Sequence, residues 1–236
     1  MKSFRFQYSR ELDRFLLLLL SADCFLIIIH ILYYYTGFLS NEYYAIWTDK
    51  GFAESFQYIK EFWIVLMFFI FALRKSKFLY FNWAAVFGYM LLDDCGEIHE
   101  KLGFKISSYL ASVPPFGLRT QDIGELAVFI IFGFVLLLPL LVCFYMSDEN
   151  ERMVSKYLFA MLIAFGVFGI FFDMLNMIIV GMRSSPFLEQ ITAVIEDGGE
   201  MIIMSIILWF VFSLSSFNGN IQHFYFKLPY MRKQDP

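Results

Sequence analysis

Charge is scarce in this chain: 17% of its 236 residues are Asp, Glu, Lys or Arg, against 59% hydrophobic and 21% aromatic. A water-soluble domain of this length could not cover so much apolar surface, and no basic stripe offers a footing for nucleic acid. Cysteine is scarce as well. Cys24, Cys95 and Cys143 all fall inside apolar stretches, an odd number with none in the loops, which argues against a disulfide framework and for small core residues. Alternating ten-residue strands are missing, so an outer-membrane barrel is excluded. No Gly-x-Ser-x-Gly, His-Glu-x-x-His or Walker loop occurs, and the paired Glu-x-x-His copies of a di-iron bundle are absent.

What the chain has instead is long apolar runs. They predict an all-α, polytopic membrane bundle in a single domain, 1–236, with six spans at about 15–35, 56–73, 79–100, 122–145, 157–182 and 188–214. The first run reads as a retained span, not a signal peptide, because Asp23 stands before Cys24 where a cleavage site needs a small residue. Tyr43, Tyr44 and Trp47 suit the headgroup level in the loop 36–58. The basic turn Arg74, Lys75, Lys77 makes spans two and three antiparallel neighbours. Pro114-Pro115 ends any helix after span three, leaving 104–113 as a short interfacial or re-entrant helix. Ser147–Lys156 reads as a charged turn. Of the 18 Lys and Arg residues, twelve fall on the side of the termini and six, Lys60 among them, on the other. That bias predicts both termini in the cytoplasm.

Acids interrupt these runs where they are costly, about 2.5–3.5 kcal/mol for a charge at a helix centre. Span three carries Asp93, Asp94, Glu97, His99 and Glu100; span four opens with Asp122 and Glu125; span five holds Asp173 and Asn176; span six holds Glu196, Asp197 and Glu200. With Asp23 and His30 of span one, all are expected in the outer half of the bilayer. Asp93, Glu97 and Glu100 are spaced to share one helical face, as are Glu196 and Glu200. Gly96, Gly124, Gly198 and Gly199 beside them permit close helix approach, and Gly166-x-x-Gly169 suits packing. The cations expected at that depth, Lys101, Arg119 and Arg183, are too few to neutralise the cluster, so the acids must share protons or hold a cation.

Two motifs carry a resemblance. Leu92-Asp93-Asp94-x-x-x-Ile98-His99-Glu100 and Glu196-Asp197-x-x-Glu200-Met201 are similar to the Leu-Asp-Glu…His-Glu and Glu-Glu-x-x-Glu-Met motifs of a group of bacterial multipass membrane proteins with no assigned activity. The likeness covers about 78–214, and it departs at Asp94 and Asp197, where the group has the longer Glu. It implies a shared polar site in a bacterial inner membrane.

The leading expectation is a divalent metal site (Ca, Mg, Mn, Fe or Zn) formed by Asp93, Asp94, Glu97, His99, Glu100, Glu125, Asp173, Glu196, Asp197 and Glu200. It would serve a metal-dependent hydrolase or oxidoreductase acting on a lipid or other amphiphile. The alternatives are a cation or proton channel or transporter, and a non-enzymatic membrane subunit or sensor. Partners expected on this reading are membrane lipid, a lipid-like substrate, and a second copy or another membrane protein. Asp23 is a candidate start of a proton path.

Overall fold

The computed structural model describes residues 10–75, 77–109, 118–182 and 185–216. Pro114-Pro115, Arg183, His223, Lys2, Arg5, Lys227, Arg232 and Lys233 lie outside them, as does the latter part of the proposed 104–113 helix. Among the described residues there is helix and no strand. The elements are α1 (Arg10–Thr36), α2 (Phe52–Lys75), α3 (Phe78–Gly96), α4 (Ile98–Ser107), α5 (Thr120–Met146), α6 (Glu149–Gly166), a π-wound segment (Val167–Phe172), α7 (Asp173–Gly181) and α8 (Pro186–Ser216).

Among the described residues, five helices are long and apolar enough to cross a membrane: Glu11–Thr36, Phe52–Arg74, Thr120–Met146, Glu149–Gly181 and Pro186–Leu214. The segment expected to be the charged turn before span five is mostly helix. Asp148 caps α6 by accepting the Glu151 backbone N–H at 2.9 Å, so the charges form the first turn of the helix. Loop 36–58 is shorter than expected, because α2 begins at Phe52.

Helix α8 is the axis, packing on α1, α2, α6, the π segment and α7. In lipid, apolar burial drives little association between helices, so shape fit and polar contacts must hold them. One end of the bundle is closed that way. Phe68 stacks on Phe87 at 5.9 Å and 14°, with Ile64, Trp83, Leu158, Met204 and Ile207 fully buried around them. Trp83 Nε1 donates to Ser155 Oγ at 2.9 Å. Helices α2 and α3 are antiparallel neighbours, as the basic turn predicts. The other end, where α4, the 37–51 loop and the start of α8 lie, carries polar side chains.

Close approach decides the packing of α4 on α5. A Cβ on Gly103 would lie 2.7 Å from the Glu125 backbone nitrogen, and one on Gly124 would collide with the Gly103 carbonyl. Gly199 likewise admits the Phe168 ring, and Gly169 the Glu200 carboxyl. Gly96 and Gly166 do not fit the expected packing role: Gly96 meets only its neighbour Ile98, and nothing lies within 4 Å of where a Gly166 Cβ would be.

Candidate functional site

Span three is not continuous, and the break shapes the site. Glu97 sits in the left-handed region (φ 51°, ψ 43°), ending α3 and starting α4. Asp93 then reaches past the corner. Its Oδ1 accepts the His99 backbone N–H at 2.8 Å, capping α4, and its Oδ2 lies 3.1 Å from His99 Nδ1. His99 stacks on Phe129 at 4.8 Å. The expectation that Asp93, Glu97 and Glu100 share one face therefore fails, because their spacing held only for an unbroken helix.

Glu97 turns away from the other acids to pair with Lys50 at 2.6 Å and Lys101 at 3.4 Å. Hydrogen bonding from Lys50, then from Lys101, holds its carboxyl below the usual carboxylate range, and the same contact raises Lys50. The depressed folded-state value sets the sign. The pair contributes stability above the unfolded carboxylate pKa, near 4.3, and loses it as pH falls through the folded value. Amide exchange in α4 is therefore expected to quicken only on acidification below about pH 4. The acid step should vanish in Glu97→Gln; persistence there would assign the step to another carboxyl.

The remaining acids do converge. A cavity of about 800 Å³ is walled by Glu54 and Gln57 of α2, Asp93 and Asp94 of α3, His99 and Glu100 of α4, Glu125 of α5, Asp173 and Asn176 of α7, and Glu196, Asp197 and Glu200 of α8. Exposed Trp47 and Asp49 stand at its rim. Arg119 is the one Lys or Arg on the described wall, and its Nη2 is committed to Asp122 at 2.7 Å. That contact turns Asp122 aside from the cavity.

The π segment widens the helical turn just before Asp173, and Phe168 stacks on Phe172 within it at 5.5 Å. From α7, Asn176 donates to Glu196 at 3.2 Å and accepts from Thr192 at 2.8 Å, so Asp173 and Asn176 are a site-facing pair as expected. Gln121 donates to Glu125 at 2.7 Å. No hydrogen bond or ion pair reaches the side chains of Asp173, Asp197 or Glu200 from any described residue. Nor does any described group of three His, Cys, Asp or Glu side chains assemble tightly enough to hold a metal ion.

Deeper in the bundle lies a second polar layer. Lys60 Nζ, fully buried, donates to Asp23 Oδ1 at 3.0 Å, to the Met201 carbonyl at 2.8 Å and to Ser205 Oγ at 3.3 Å. Ser205 in turn donates to Asp23 Oδ2 at 2.5 Å. This corrects two expectations. Lys60 is a buried cation, not a flank of the outer loop, and Asp23 is a closed ion pair instead of the start of a proton path. His30 accepts the Ile46 N–H at 3.3 Å and stands edge-on to Trp47 at 4.6 Å, so it anchors the 37–51 loop outside the cavity wall.

Sequence reading missed Glu54, Gln57 and Glu61. They recur at helical spacing on α2, and starting that span at 56 hid the first of them. Glu61 is fully buried and no described donor reaches its oxygens. The Asp94 carboxyl of α3 lies beside it.

A helical bundle with five membrane-length apolar helices among its described residues, built round an acid-walled cavity, is a multipass membrane protein by class. The chain belongs to the family described as Domain of unknown function (DUF8692), whose model matches residues 19–216. Comparisons with curated proteins and with solved structures give no match.

Proposed function

We propose that the cavity binds a cation in the outer half of the bilayer. On this reading α3, 19 residues and so roughly 28 Å long, is the sixth span and both termini face the cytoplasm of a bacterial inner membrane. The observation that carries the proposal is the imbalance on the wall: carboxylates from six helices, against one arginine already paired to Asp122. Bare carboxylates at such a place cost more than they return unless a positive guest completes them. The cavity, at about 800 Å³, far exceeds the volume of a naked ion, which favours an organic cation. Beyond the cavity the bundle is packed by a core that includes Phe68, Trp83 and Phe87, which supports binding in preference to conduction.

A divalent metal is the second reading. Asp173, Asp197 and Glu200 favour it as hard oxygen donors without internal partners, although the described side chains would have to draw together to coordinate. A metal held there would supply Lewis-acid chemistry toward an amphiphile.

The test is a thermal-shift titration of the purified protein with tetramethylammonium and, separately, with calcium, magnesium, manganese and zinc. Tetramethylammonium is expected to stabilise the wild type. Glu200→Gln should weaken that binding about tenfold, the worth of one charge-assisted contact. Stabilisation by a metal alone, abolished by chelator, would select the second reading. No response to any cation would overturn both.

A further inference from the structure

The same cavity continues away from the acids, and its far lobe is apolar. Gly133, Leu136 and Leu137 of α5 face Leu162, Phe165 and Gly166 of α6 across it. These two helices touch only sparsely, and α5 does not pack along the π segment or α7. Nothing lies within 4 Å of a Cβ built on Gly133, or of one built on Gly166. Glycines on opposing walls, each beside empty space, leave a slot open toward lipid. Along α5 the slot lies eight to twelve residues below Glu125, roughly 12–18 Å at 1.5 Å per residue.

At the other end, Gln57 is 5% exposed, lines the acid cavity and has a buried Oε1 that no described donor reaches. A buried amide left without a partner is rare and points to a group supplied from outside. One cavity thus joins an acid head space, with an unanswered amide, to an apolar slot facing the bilayer.

We propose that the guest is a membrane amphiphile with an ammonium head, which enters sideways between α5 and α6. Its chain fills the slot and its head lies among Glu200, Asp197 and Asp173, with an N–H or water for Gln57. The inference rests on the cation-binding reading above and names the class of its ligand.

The experiment uses the full-length protein in phosphatidylglycerol nanodiscs with a dodecyltrimethylammonium probe carrying a diazirine at the chain end. Irradiation is expected to label Gly133, Leu136, Leu137, Leu162, Phe165 and Gly166, which line the slot. Glu200→Gln, which loosens the head, and Gly166→Phe, which fills the slot, should each reduce that labelling to background. Gly166→Phe should still be stabilised by tetramethylammonium, which proves it folded; Gly133→Leu serves as the second plug if it is not. Labelling spread over the outward-facing Phe134, Leu138 and Ile163, and unchanged by either plug, would overturn the slot while leaving the cation site standing. Failure of tetramethylammonium to bind the wild type would instead remove the reading beneath it.

Discussion

Lys60→Met is expected to lower the unfolding free energy by about 3–5 kcal/mol, the cost of leaving a buried charge without its partner. Asp23 is fully buried and has two polar side-chain partners, Lys60 at 3.0 Å and Ser205 at 2.5 Å. Losing the ammonium strands a carboxylate between α1, α2 and α8, and the Met201 carbonyl loses its donor as well. The double variant Lys60→Met with Asp23→Asn should recover most of the loss, because it removes the charge along with its partner. Unfolding of both variants in a mild detergent reads the difference. A single variant within about 1 kcal/mol of wild type would mean that water reaches the pair.

Gly103→Leu is the second large effect, and it acts through shape alone. Even a methyl group there would lie 2.7 Å from the Glu125 nitrogen, and backbone cannot yield as a side chain does. Overpacking of this kind costs about 1–3 kcal/mol and sometimes more. Since α4 carries His99 and Glu100 and α5 carries Glu125, the same wedge should split the cavity wall between these helices and reduce tetramethylammonium binding. Gly133→Ala is the matched control. It meets no atom and gains helix propensity, so its melting temperature should be unchanged or higher. A Gly103→Leu protein that melts like the control would show that α4 is free to slide on α5.

The helical membrane class was legible because apolar runs of span length leave few alternatives. The gathering of acids was legible too, since placing Asp94, Glu125, Asp173 and Glu196 at one depth needs only span ends and directions. Two things were hidden. The corner at Glu97 depends on a left-handed residue that is not glycine, held in place by Lys50 from a distant loop, and nothing in its neighbourhood announces it. A lysine near a span end ordinarily snorkels outward, so Lys60 looks in the sequence like a loop-side charge. Only the three-dimensional meeting of α1 and α8 shows it turned inward. Spacing along one helix finds a face; it cannot say which charge on another helix answers it.

The inward lysine also bears on how the protein reaches its membrane. Helix α2 carries Gln57, Lys60 and Glu61 within five residues, and insertion scales penalise each charge by about 2.5–3.5 kcal/mol at mid-depth. Released alone from the translocation machinery, such a segment would partition poorly. Helix α1 precedes α2 in the chain and bears Asp23, so the two helices inserted as a hairpin would carry opposite charges that match. The buried pair thus ties the insertion of one helix to the charge carried by its neighbour.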